Sequence, residues 1–454
     1  MKNVALHNLG CKVNSYEIEV MQQFLQEKGY NIVPFDEVAD IYIVNTCTVT
    51  NIADRKSRQM LHRAKQKNPQ AIVVAVGCYV QTGREAVEQD DCIDLAIGNN
   101  RKKDLVTILE EYLAERGEAP VDKTLGDTTI IDINHTDEYE EMTLRRTAEH
   151  TRAYIKIQDG CNQFCTYCAI PLARGRVRSR KEDDILREIT GMVDAGYKEV
   201  VLTGIHISSY GIDFDRQNYS GVSRLIDLVE RIHEIPGLER IRLGSLEPRI
   251  VTGETAARLA ALTKVCPHFH LSLQSGCDET LKRMNRHYTT AEFADSVKAL
   301  REAFYKANGT YPAITTDVIV GFPGETDEEF ARSKAFLMQI AFFEMHIFKY
   351  SKRAGTRAAV MPEQVPDQIK TKRSNELLVL EKEMSKEFRK QCLNRRTLVL
   401  MEEKKQINGM TYWLGHTADY VKIALPYKDE DNREGRIETV LVKEFLTDDI
   451  LMGE

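Results

Sequence analysis

The sequence predicts a multidomain α/β chain. An open parallel α/β sheet comes first, a partial (βα)6 barrel follows, and a small antiparallel β-barrel ends the chain. Three observations carry this. Short apolar, β-branched runs alternate with polar helix-like stretches, which is the pattern of a parallel sheet covered by helices. That alternation occurs in two series separated by an acidic, aperiodic stretch. Beyond about Arg395 the long helices stop and short strands follow one another. The 454 residues suffice for two to four domains.

In the first series the strands are Asn3–Leu9, Ala39–Thr46, Ala71–Gly77 and Asp94–Gly98, and the helices are Ser15–Lys28, Ile52–Asn68, Thr82–Gln89 and Arg101–Arg116. Gly117–His150 is acidic and reads as a solvated linker. The second series has strands at Ala153–Gln158, Glu199–Thr203, Ile241–Ser245, His268–Gln274, Ala313–Val320 and Phe343–Tyr350. Its helices are Glu182–Ala195, Ser223–His233, Gly253–Thr263, Ala291–Ala307 and Asp327–Ile340. Chemistry in such a barrel belongs at the C-terminal ends of the strands. Pro366–Lys390 is a long charged helix. Thr397–Met401, Gly409–Gly415, Tyr420–Ala424 and Gly435–Val442 are the strands of the last barrel, a common RNA-binding scaffold. The expected domains are 1–118, 147–388 and 389–454, with 119–146 as linker.

The charge balance is 62 Lys and Arg against 69 Asp and Glu, a net −7, so any nucleic-acid site is a local patch. The longest apolar run, around Ala71–Val80, is far short of the ~20 residues that span a membrane. The N-terminus has no apolar signal core. A cytoplasmic protein is expected, and the ten cysteines do not read as a disulfide framework.

Cys161, Cys165 and Cys168 place three thiols in one loop after the first barrel strand. Thiolates suit iron–sulfur clusters and zinc. Three ligands leave a fourth corner open to substrate or cofactor. No fourth Cys or His is near, so an iron–sulfur cluster is the preferred reading over zinc or core packing. Cys11, Cys47 and Cys78 each follow a strand of the first sheet. In a parallel sheet those ends share one edge, so the three are expected to converge as a second thiolate set. Cys92, Cys266, Cys277 and Cys392 share no address and read as structural.

Arg174, Arg176, Arg178 and Arg180 alternate. In an extended segment they share one face, and the pattern predicts a phosphate-binding ridge. His206 and His270 read as core or rim histidines. Tyr412 and Trp413 read either as base-stacking or as core residues. The final segment, Arg389–Glu454, holds eleven basic and twelve acidic residues, so an RNA face there must be segregated.

CxxxCxxC after a first barrel strand resembles the radical S-adenosylmethionine (SAM) superfamily. With the preceding three-cysteine unit, the chain is similar to methylthiotransferases over nearly its whole length. The motifs are Gly10–Ser15, Asn45–Thr50, Gly77–Tyr79, Asp159–Arg180, Gln274–Gly276 and Gly321–Thr326. The first two, with Leu172–Arg180, resemble the type that thiomethylates N6-threonylcarbamoyladenosine beside the tRNA anticodon, and the tail resembles a TRAM domain. One departure is Cys277, where relatives often carry Ser.

The resemblance implies two 4Fe-4S clusters, on Cys161, Cys165 and Cys168 and on Cys11, Cys47 and Cys78. The first binds SAM, which one electron cleaves to methionine and a 5′-deoxyadenosyl radical. The second carries or supplies sulfur that a second SAM methylates. It also implies SAM contacts from Tyr167, Thr203, Gly204, Ser245, Glu247 and Gln274, and an adenine pocket shaped at Val320 and Gly321. Expected partners are tRNA and a one-electron reductant such as flavodoxin or ferredoxin, with no membrane. A ribosomal-protein substrate and a non-enzymatic iron–sulfur or zinc RNA-binding protein are the alternatives.

Overall fold

The computed structural model describes residues 2–116, 129–147, 151–214, 223–428 and 432–454. The first unit is a parallel sheet of β1 (Asn3–Asn8), β2 (Asn31–Val33), β3 (Ile41–Thr46), β4 (Ile72–Gly77) and β5 (Leu95–Ile97), in the order β2-β1-β3-β4-β5. Every residue of β3 and β4 is buried, as continuous apolar runs in a two-sided parallel sheet should be. Pairing Asn8 with Asn45 and Thr46 with Gly77 brings the ends of β1, β3 and β4 to one edge. The edge strand β2 was not expected; its three half-exposed residues give no periodic signal.

The central unit contains β6 (Ala153–Asp159), β7 (Arg178–Ser179), β8 (Glu199–Gly204), β9 (Arg240–Leu243), β10 (His268–His270), β11 (Ala313–Val320) and β12 (Glu344–Lys349). β6, β8 and β9 pair in parallel, as do β10, β11 and β12. Isolated bridges Ile241–Val265 and Leu246–Leu271 join the two halves into one arc. The six expected strands are therefore present as an open barrel. Short β7 runs antiparallel to β6.

The linker expectation is corrected. Residues 117–128 and 148–150 lie outside the described residues. In the remainder Ile130, Ile133, Met142 and Leu144 are buried. Tyr16 donates its hydroxyl to the Met142 carbonyl and to Glu188 at 3.0 Å. Two of its carboxylates have fixed partners: buried Glu140 accepts from the Lys103 N–H, and Glu141 accepts from buried Arg180. The helix Lys12–Glu27 sits in the same core, with Tyr16, Val20 and Met21 in one cluster with Ile155 and Ile157.

The helix Asp367–Lys390 leads to β13 (Arg396–Ile407), β14 (Met410–Thr417), β15 (Lys422–Pro426), β16 (Ile437–Phe445) and β17 (Leu451–Gly453). They close in the order β13-β14-β15-β17-β16. The closure is not wholly antiparallel, because β15 and β17 pair in parallel. Trp413 and Tyr412 are buried, which decides for core packing. Arg240 donates to the Leu398 and His416 carbonyls at 2.8 and 3.0 Å, and Arg242 to Ala418 at 2.9 Å, fastening this barrel to the central one.

Candidate functional site

The first cysteine loop is held from both sides. Cys161 N–H donates to the Gly175 carbonyl at 3.1 Å, and Thr166 N–H to Met284 at 3.0 Å. Phe164 takes a left-handed φ of 50°, and Asn285 Nδ2 donates to its carbonyl at 3.1 Å. This turn lets one short loop present three thiols to one centre. Gly160 is the tightest backbone in the loop, at φ 70°, where an added Cβ would lie 1.8 Å from the Arg176 carbonyl oxygen. Gly160→Ala is expected to displace the loop and cut reconstituted iron sharply, while a surface Gly191→Ala control, with open space around it, keeps it. Iron and sulfide assays check this.

The three thiols border a cavity of about 310 Å³ with Tyr167, Ser245, Glu247 and Gln274 among its walls. Burial, with the neighbouring thiols, pushes Cys161 up to about 11 and Cys168 up to about 12. Empty thiols are thus held neutral, and a bound cation is what makes them thiolates. Arg286 donates to Cys165 Sγ at 3.2 Å and stacks on Tyr288. It was missed by sequence reasoning, which has no signal for a partner 121 residues away. The loop thus offers a soft donor set, a cation beside it and an open side onto a cavity with a few polar groups in its wall, which fits a cluster with one uncommitted corner.

Glu247 lies within this wall. Burial would raise its carboxyl, but His206 at 3.5 Å and Arg249 outweigh that and hold it at about 2. Gln163 also donates to it at 3.3 Å. His206 is therefore a rim histidine, as expected. Val49 and Thr50 close the cavity from the first unit, and Arg353 locks that edge through Thr48 and Asn51, both at 2.6 Å.

Cys11, Cys47 and Cys78 come together at the strand ends: Cys78 lies within electrostatic reach of both Cys11 and Cys47, Cys11 lies within reach of Cys47, and Gly10 beside Cys11 would set a Cβ 3.0 Å from Cys47 Sγ. Burial pushes Cys47 up to about 11. Gly77, at φ 98°, makes the turn into Cys78, where a Cβ would lie 2.7 Å from Asn45 Oδ1. Asn99 donates to Cys78 Sγ at 3.5 Å and to the Ala173 carbonyl at 2.7 Å, linking this set to the segment after the first.

The arginine ridge is corrected. Arg174 ends a short helix, Ile170–Arg174, rather than lying in an extended strand. Arg174, Arg178 and Arg180 are buried. Arg174 pairs with Glu17 at 2.8 Å and Asp159 at 3.0 Å, and donates to Asn14 at 2.7 Å. Arg180 pairs with Glu188 and Glu141. Arg178 donates to the Arg174 and Arg176 carbonyls, both at 3.0 Å. A buried guanidinium needs such partners, and the first unit (Glu17), the acidic segment (Glu141) and the central unit itself (Asp159, Glu188 and backbone carbonyls) supply them. Arg176 alone stays partly accessible, over the Phe164 ring at 4.6 Å.

A second cavity, of about 580 Å³, runs from Cys11 and Lys12 to the inner face of β10–β12. Thr203 and Gly204 line this one rather than the first, and Ser245 and Asp317 border both. Cys11 and Lys12 expose their area here. Val320 and Gly321 border neither: Val320 is buried, and Gly321 packs on Lys370, whose Cγ would lie 2.3 Å from an added Cβ. The neighbouring Ile319 reaches the first cavity instead. Cys277 is buried with its thiol on Glu279 at 3.0 Å, outside both. No helix among the described residues is long and apolar enough to cross a membrane.

Residues 155–337 match the model of the radical SAM superfamily, and residues 3–98 that of the uncharacterized protein family UPF0004. The chain is 38% identical over 443 residues to the threonylcarbamoyladenosine tRNA methylthiotransferase MtaB of Bacillus subtilis, covering 97% of this chain and 94% of the relative. The protein of the same name from Aquifex aeolicus is 37% identical, covering 90% and 95%. A tRNA-2-methylthio-N(6)-dimethylallyladenosine synthase of Carboxydothermus hydrogenoformans is 34% identical, covering 84% and 83%. Among solved structures, the radical SAM methyltransferase TsrM of Kitasatospora setae matches with TM-score 0.56 at 15% identity, covering 90% of this chain and 78% of that one, a likeness of fold.

Proposed function

Because the chain belongs to the radical SAM tRNA methylthiotransferase family, we propose that it adds a methylthio group to C2 of N6-threonylcarbamoyladenosine next to the anticodon, using two 4Fe-4S clusters and two SAM molecules. A radical SAM enzyme of this family takes one 4Fe-4S cluster and SAM. Cys161, Cys165 and Cys168 would hold that cluster, and Cys11, Cys47 and Cys78 a second. The observation that carries the reading is that the first thiol set, and Cys11 of the second, face cavities with a common wall at Ser245 and Asp317. A base entering there would meet a hydrogen-abstracting group from one side and a sulfur source from the other.

The cluster, when bound, supplies the electron that cleaves SAM. The chain's own residues do the rest. Tyr167 and Ile319 give an apolar wall to a bound adenosine, while Gln274, Ser245 and Glu247 offer polar partners along the strand ends. Val49 and Thr50 cover the reacting region from water. Exposed Val49 and Phe348 at the rim, with Lys349 in the same wall, suit an unstacked anticodon loop, which is read by stacking and phosphate contacts. A small one-electron reductant such as flavodoxin or ferredoxin is the remaining partner.

Nucleoside analysis of tRNA from a strain lacking the gene is expected to show N6-threonylcarbamoyladenosine accumulating and its 2-methylthio form gone. Loss of the 2-methylthio form of dimethylallyladenosine would overturn the choice of nucleoside. An unchanged nucleoside profile would overturn tRNA as substrate.

A further inference from the structure

Parallel barrels are normally plugged by layers of bulky apolar side chains. Here the inner face of β10–β12 is polar. Strand alternation turns His268 and His270, Thr315 and Asp317, and Glu344 and His346 to the same side. Pairing sets Thr315 beside His270 and Glu344, and Asp317 beside His346. All six line the second cavity. Polar rows of this kind give no packing energy and cost desolvation unless something hydrogen-bonds to them.

The charges in that cavity do not cancel one another evenly. Glu344 is engaged by Arg389 at 2.6 Å, and Asp317 faces His270 at 3.5 Å. Glu199, the carboxylate in electrostatic reach of Lys12, is engaged by Arg242 at 2.7 Å and Arg240 at 3.5 Å. Lys12 has no ion pair among the described residues, although it lies in the cavity wall beside Cys11. The site therefore holds a lysine without an ion pair, and a carboxylate, Asp317, that faces only an imidazole, on either side of a histidine–threonine row whose His270 Nε2 has no hydrogen-bond partner.

We infer that this cavity receives the N6 substituent of the substrate base, and that Lys12 is the ion partner of its carboxylate. The inference rests on the reading of N6-threonylcarbamoyladenosine as substrate. A threonylcarbamoyl group is an anion with a hydroxyl and a ureido linkage. Its carboxylate matches Lys12, and its neutral donors and acceptors match His270, Thr315 and His346. An apolar N6 substituent would leave all of these unpaired, which is how a polar pocket rejects such an analogue. Because Lys12 follows Cys11 directly, a group tethered to its ammonium is held at the second thiol set. Lys12 acts as a specificity residue for the substrate.

The test compares binding of reconstituted enzyme to one tRNA in three forms: carrying N6-threonylcarbamoyladenosine, carrying its threonine amide, and carrying unmodified adenosine. Wild type is expected to prefer the first about 10- to 100-fold over the amide, the size of one hydrogen-bonded charge. Lys12→Met should erase that preference and Lys12→Arg should restore part of it, with iron content confirming that each variant is assembled. SAM affinity is measured in parallel. If wild type does not distinguish the modified tRNA from unmodified tRNA, the substrate reading itself fails. If it does, but binds acid and amide equally, or if Lys12→Met keeps the preference, the carboxylate assignment fails while the substrate reading stands. A loss of SAM affinity in Lys12→Met with the preference intact would assign Lys12 to the methionine carboxylate and overturn the inference.

Discussion

Replacing Cys161, Cys165 and Cys168 together by Ala is expected to abolish reductive SAM cleavage and to remove about half of the iron. The three thiols border the first cavity, and no other cysteine does. The parallel replacement of Cys11, Cys47 and Cys78 should also remove about half of the iron, yet leave SAM cleavage without methylthiolation, because the first loop is anchored by Gly175, Met284 and Asn285 and not by these thiols. Iron and sulfide assays, with 5′-deoxyadenosine formation as the readout, check both. Wild-type iron in the second triple variant would mean that those three cysteines are structural and that one cluster is present.

Arg174→Met should be among the most destabilising single changes in the chain. Glu17 and Asp159 are buried, and burial alone would raise both carboxyls. Arg174 foremost, with Lys156 for both and Lys102 for Glu17, reverses this and holds each well below the usual carboxylate range. Lys156 pairs with both carboxylates at 2.7 Å, so the network survives in part. Removing one partner of a buried ion pair costs about 3–5 kcal/mol. The sign with pH follows from the depressed values. Stability from such groups is fully present above their unfolded value of about 4 and is lost as pH falls toward the folded value. Without Arg174 the folded values rise, so acid unfolding should begin at a higher pH. Thermal unfolding of anaerobic holoenzyme between pH 7 and pH 4 measures both effects. Arg176→Gln, at the accessible member of the same run, should change stability by no more than about 0.5 kcal/mol. Equal effects of the two substitutions would refute the buried network.

Each cysteine set was readable in the sequence for a local reason. Cys161, Cys165 and Cys168 lie within one loop, so spacing alone confines them. Cys11, Cys47 and Cys78 each follow a parallel strand, and parallel pairing with the order β1-β3-β4 must bring those ends to one edge. The alternation of strand and helix likewise sufficed for the two α/β units. Strands β2, β7 and β17 have three residues or fewer and exist only through their neighbours; β5 and β10 are as short, but sit inside longer strand-like runs that the sequence shows.

The arginine run shows what sequence could not decide. A period of two says that residues share a face, but not whether the face meets water or protein. Arg174 is buried because Glu17 lies against it, 157 residues earlier in the chain. Arg180 is buried because Glu188 and the once-expected linker surround it. The same holds for Arg286 on Cys165, and for Lys12 facing β10–β12. Local sequence determined which chemical groups are present and which strand end or loop carries them. Tertiary packing decided which charges find a partner, because desolvation makes pairing compulsory inside, and the partners come from distant parts of the chain.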